Sequence, residues 1–101
     1  MKREFEWDEN KNNKNKIKHK ISFENAKDVF EDENRLQYAL DVNGERRYLT
    51  IGKVFKVIIL VVYTIRNFAF RLISARPARK DERESYLANS LSKQDDAYDK
   101  K

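Results

Sequence analysis

The chain has 101 residues, of which 39% are charged and 40% hydrophobic, so it is sized for one domain with a modest core. It has no cysteine and one histidine. That excludes disulfides and a thiolate metal site and leaves little from which to build a zinc centre. The net charge of +5 is unevenly placed: residues 66–83 hold six bases against two acids, whereas residues 1–65 hold thirteen against eleven. A basic centre of this kind points to an anionic partner, nucleic acid first, with a plain solvated surface as the alternative.

REFEW, residues 3–7, alternates charge with aromatic and predicts a short strand with Phe5 and Trp7 on one face. Asp8 is a good N-cap for a helix starting after it. ENKNNKNKIKHK is polar nearly all round, with Ile17 its one large apolar residue. As a helix it is weak in isolation, and a loop is equally compatible. Its lysines either attract phosphates without regard to sequence or merely solvate a surface. In ISFENAKDVF, Ser22 is a good N-cap, and Phe23, Ala26, Val29 and Phe30 mark one face of a helix.

Leu36, Tyr38 and Leu40 alternate before Asn43-Gly44, which predicts a strand and a hairpin turn. Tyr48 to Val54 is a second strand, and Gly52 inside it suggests a bulge or a close backbone approach. VIILVVYTI, residues 57–65, is β-branched and apolar on both faces, hence a central strand. It is too short to cross a membrane, which takes about 20 apolar residues. Arg66-Asn67 is the expected turn into a returning strand, Phe68 to Ser74, with Phe68, Phe70 and Leu72 on one face.

Pro77 suits the first turn of a final helix that runs to about Leu91 and packs through Tyr86, Leu87 and Leu91. The order is β-α-α-β-β-β-β-α. The expected fold is α+β, a mostly antiparallel meander with two N-terminal helices and one C-terminal helix. Residues 1–91 make a single domain, and 92–101 a flexible tail. One face of the central strand is left for the C-terminal helix, a second copy or a partner to cover. The N-terminal MKREFEWDEN lacks the apolar core of a signal peptide, so the cytoplasm is the expected compartment.

The final helix raises a question of sign. It opens with Arg79 and Lys80, where the helix dipole favours acids. Cations there cost stability and strengthen an anion site.

FEWDENKN, KHKISFENA, LVVYTIR and RLISARPARKDERESY, in this order and spacing over roughly residues 3–87, resemble the BrnT family. These are toxins of type II toxin–antitoxin modules. The resemblance implies a RelE-like ribonuclease fold and RNA cleavage that inhibits translation; no cofactor or metal is expected. It also implies a BrnA-like ribbon-helix-helix antitoxin as partner, with paired toxins in the complex; the residues themselves add a homodimer as a possibility and no membrane contact. Two positions depart from the family pattern. Lys20 replaces a glycine where the first helix ends, at a cost of about 1 kcal/mol if the left-handed turn is kept. Arg79 replaces a hydroxyl residue that forms a capping box with Glu82, so the helix start is expected to move back to Pro77, with Arg76 as cap.

Metal-free RNA cleavage needs a base for the 2′-OH, an acid for the leaving 5′-oxygen, and cations on the phosphate. Arginine suits the third task through its planar fork. On the resemblance, Arg66 and Arg76 are the candidates for transition-state stabilisation, although ten residues of strand separate them. Arg71 lies between them as an RNA-binding candidate or a structural ion pair. Arg79, Lys80 and Arg83 add to the same basic stretch. His19 is the natural proton-transfer group, or else a histidine at a helix terminus facing the dipole. Glu82 and Tyr86 are reserve catalytic candidates, with a cap and core packing as their alternatives. A non-catalytic RNA-binding or protein-interaction module on the same fold is the competing reading.

Overall fold

The structure is a computed structural model that describes residues 3–99, with side-chain surroundings through Leu91. Strand β1 (Glu4–Glu6) leads into helix α1 (Glu9–His19) and the short helix α2 (Phe23–Ala26), which continues as a 3-10 turn over Lys27–Glu31. Strands β2 (Leu36–Val42), β3 (Glu45–Val54), β4 (Val57–Arg66) and β5 (Ala69–Pro77) come next, and helix α3 (Lys80–Asp99) closes the chain. The fold is α+β. The five strands form one sheet in the order β1-β5-β4-β3-β2, antiparallel except where β1 runs parallel to β5.

The central strand is β4, as its composition requires. Ile59, Val61 and Tyr63 face one core with Phe23, Val29, Phe30, Leu72 and Ala75. Aromatic rings fill its lower end: Phe30 meets Tyr63 edge-on at 5.0 Å between centroids, and Tyr63 stacks on Phe70 at 5.0 Å. Leu60 on the opposite face meets Ile51 and Tyr86, so α3 does cover part of that face. Tyr86 is the anchor. Leu87 and Leu91, expected to pack beside it, are 48% and 61% exposed. Residues one and five positions on from an anchor lie on other faces of a helix.

Gly52 marks a close approach rather than a bulge. A Cβ there would stand 2.7 Å from the Val29 side chain and 3.2 Å from that of Arg35. The bulge falls in β5 instead: Val62 pairs with Ser74 but Tyr63 with Leu72, leaving Ile73 as the extra residue. It restores the face of Ala75, which joins Leu72 in the core. The β4–β5 turn is Asn67-Phe68, one residue later than Arg66-Asn67. Both have positive φ, at 51° and 68°, the two-residue geometry that suits strand twist. Phe68 is therefore not on the Phe70 and Leu72 face; it is 96% exposed at the turn.

Helix α1 is real despite its polarity, because two buried asparagines hold it. Asn12 accepts from the Phe23 amide and donates to Glu9 and Glu24, joining α1 to α2. The Asn15 side-chain amide donates to the Ala75 and Ile21 carbonyls, and its oxygen accepts from the Ala75 amide. Ile17, the helix's one large apolar side chain, is 78% exposed. Asp8 caps the helix start. At the far end Lys20 adopts φ 62°, ψ 25°, so the left-handed turn is kept with lysine in it.

Candidate functional site

The register of the sheet sorts the candidate residues. Arg66 pairs with Ala69, Arg71 with Thr64, Ser74 with Val62 and Arg76 with Leu60. Partners directly opposite share a face, and residues alternate along β4. Arg66, Arg71, Ser74 and Arg76 therefore stand on the sheet face that α3 partly covers. Arg66 and Leu60, the partner of Arg76, stand six positions apart along β4, about 20 Å of strand. They serve different parts of that face.

Arg76 is the best-organised of them. Its two terminal nitrogens donate to the two Glu82 carboxylate oxygens at 2.8 Å each, a bidentate fork with both side chains largely buried. The same Glu82 Oε1 accepts from the Arg79 backbone N–H at 2.8 Å. Hydrogen bonding to Arg76 holds the Glu82 carboxyl below its ordinary range, against the opposing effect of burial. The helix start does not move back to Pro77. Pro77 ends β5, α3 begins at Lys80, and the Arg79 carbonyl accepts the first helical bond from Arg83. The carboxylate half of a capping box is kept without its hydroxyl, and the Arg76 fork holds it in place.

The other basic residues surround this centre. Arg83 donates to the Ala78 carbonyl at 2.8 Å, tying the helix back to the chain that enters it. Lys80 and the Arg79 side chain are exposed. Arg71 donates to Glu6 on β1 at 2.7 Å, and Arg66 to Glu45 on β3 at 3.2 Å. Arg47 donates to the other oxygen of Glu45, and together the two arginines hold that carboxyl below its ordinary range. Each of Arg66, Arg71 and Arg76 thus has a glutamate partner. Arg71 and Arg66 each give one hydrogen bond to theirs, leaving further donors of the fork uncommitted among the described residues.

Tyr86 turns away from this group. It is 3% exposed, and its hydroxyl donates to Asp32 at 2.6 Å. Burial, and next the bond to Asp32, push its ionisation up. Asp32 also accepts from the backbone of Asn34 and Lys53. His19 ends α1 and lines an open cleft of about 370 Å³ with Lys11, Lys14, Lys18 and Ser74. Ser74 is the link between that cleft and the arginine face. The carboxylates Glu6 and Glu45 escape a reading of the sequence because only strand register brings them to their arginines.

The organising stretches coincide with the segments that carried the resemblance. A search of curated proteins finds no match to the chain. A family model described as "Ribonuclease toxin, BrnT, of type II toxin-antitoxin system" matches residues 7–82, from Trp7 to the Glu82 that Arg76 grips. The match spans the greater part of the chain, which therefore belongs to the BrnT family of type II toxin–antitoxin ribonuclease toxins.

Proposed function

We infer that this BrnT protein is a metal-independent endoribonuclease with a RelE-like fold, which inhibits translation and is neutralised by a BrnA-like ribbon-helix-helix antitoxin. The observation that carries this reading is the single sheet face shared by Arg66, Arg71, Ser74 and Arg76, with His19 in the cleft at Ser74. The 2′-oxygen attacks the adjacent phosphorus as its proton passes to His19 or to water, and the other of the two protonates the leaving 5′-oxygen. The 5′-oxygen leaves protonated, giving a 2′,3′-cyclic phosphate and a 5′-hydroxyl. Arg76 stabilises charge on the phosphate oxygens. Glu82 is a positioning residue, because a carboxylate held ionised by an arginine fork is a poor base. Tyr86 is structural, since its hydroxyl is buried and holds its proton. Arg66 and Arg71, with Arg79, Lys80 and Arg83, bind flanking phosphates.

The module works in the cytoplasm, with residues 1–91 as its functional unit, beyond which α3 continues to Asp99. Among the described residues no helix is long and apolar enough to cross a membrane. In the antitoxin complex, paired toxins are expected.

Purified protein incubated with RNA in excess chelator tests the reading. Cyclic-phosphate products from the wild type, reduced at least about 100-fold by Arg76→Ala, support it. A folded wild type that leaves RNA intact sinks it. One observation favours a non-catalytic module: each of the three strand arginines already has a carboxylate partner. That module binds RNA in a salt-sensitive way without cutting it, and a defined cyclic-phosphate end excludes it.

A further inference from the structure

The lysines of α1 divide by direction. Lys16 acts on Glu24 across the α1–α2 junction. Lys11, Lys14 and Lys18 match the spacing of one helix face and line the cleft with His19 and Ser74. No carboxylate among the described residues lines that cleft. Among the described residues, none of these three ammonium groups has an ion-pair partner. The contrast with Arg66, Arg71 and Arg76 is direct, since all three of those are paired.

Two further facts argue against a face that is basic only for solubility. Lys11 lies in the first turn of α1, where the dipole disfavours a cation. The helix is also fixed to β5 by the buried Asn15, so the three ammonium groups stand on a rigid support beside Ser74. Ser74 belongs, through the register, to the face of Arg71 and Arg76. A basic path therefore leads from the arginine face across the β5 bulge to α1.

We propose that Lys11, Lys14 and Lys18 form a docking track for the ribose-phosphate backbone of single-stranded RNA, carrying it from the arginine face past Ser74 and His19. The proposal rests on the ribonuclease reading for its choice of ligand. The strand is single because in-line attack by a 2′-OH is closed to an A-form duplex. The track gives affinity without sequence readout, for three point charges contact phosphates only.

The test is fluorescence anisotropy with a labelled, fully 2′-O-methylated oligonucleotide, which binds but has no 2′-OH to attack, titrated over a range of potassium chloride. Each phosphate contact contributes about 0.7 to the slope of log affinity against log salt for a single strand. The triple variant Lys11→Gln, Lys14→Gln, Lys18→Gln is expected to lower the slope by about 2, and to weaken binding about 100-fold near 0.1 M salt. The corresponding Lys→Arg triple keeps charge and fold and should retain the slope. An unchanged slope in the Gln triple overturns the track, as does an Arg triple that binds no better than the Gln triple. Unchanged RNA binding with lost antitoxin affinity also overturns it, and assigns the surface to a protein partner. Cleavage of unmodified RNA is scored separately. A wild type that does not cleave but binds through these lysines leaves the track standing and removes the ribonuclease reading.

Discussion

Arg76 and Glu82 form a bidentate pair at 2.8 Å that joins the end of β5 to the first turn of α3. One carboxylate does two jobs: it orients the guanidinium and it accepts from the Arg79 N–H. Glu82→Gln should therefore lower cleavage about 10- to 100-fold by loosening Arg76, and destabilise the fold by about 1–2 kcal/mol. Arg76→Lys keeps a charge but loses the fork and should not restore activity. A Glu82→Gln variant with wild-type kcat refutes the positioning role.

The same pair sets an acid limb. The Glu82 carboxyl sits below its ordinary 4.5, by hydrogen bonding to Arg76. Asp32 sits below its ordinary 3.8: burial opposes its charge, but bonds from Tyr86, Lys53 and Asn34 outweigh burial. Carboxyls lowered by folding stabilise the native state above their ordinary values, and that stability is lost as pH falls through the lowered ones. Thermal melts should show little change from pH 7 to about 5 from these two groups and a decline below 4.5. The decline should be shallower in Glu82→Gln.

Tyr86 predicts the opposite limb. Folding raises its ionisation above the ordinary 10.0, so its contribution is complete below that pH and is lost as pH rises through the raised value. Tyr86→Phe removes the 2.6 Å bond to Asp32 and should cost about 1–2 kcal/mol at pH 7. The difference between wild type and variant should shrink above pH 10. A constant difference across that range would mean that the hydroxyl does not hold its proton in the fold.

Phe68 occupies a left-handed turn position, φ 68°, with its ring 96% exposed. Phe68→Gly relieves backbone strain and gives up almost no buried surface. It should stabilise the protein by about 1 kcal/mol, raising Tm by about 4–8 °C. A lowered Tm would show that the ring packs against something in solution.

How much of this was legible in the residues depends on what holds each part. β4 was legible because its β-branched side chains are buried on both faces, and the Asn43-Gly44 turn because its backbone demands those residue types. The order of the meander came with them. α1 was legible from its Asp8 cap only as a helix that could equally be loop, because Asn12 and Asn15 hold it through hydrogen bonds, and an apolar pattern search passes over asparagine. The start of α3 was misplaced by reading Pro77 as a helix opener, when the Glu82 carboxylate selects Arg79 as the cap. The basic centre was visible in the charge count. The pairing of its strand arginines with glutamates, and its continuation into the α1 lysines, depend on strand register and on a single-residue bulge at Ile73, neither of which composition encodes.

Asn15 has a consequence beyond stability. β1 pairs with Ala69 to Arg71, so among the described residues the upper part of β5 has no neighbouring strand on that side. Asn15 occupies both the N–H and the C=O of Ala75 there, as a strand residue would. One side chain thus denies a template to any incoming β-segment. Asn15→Leu should not only unfold at lower temperature but also self-associate through this border more than the wild type does, measurable as light scattering well below its Tm.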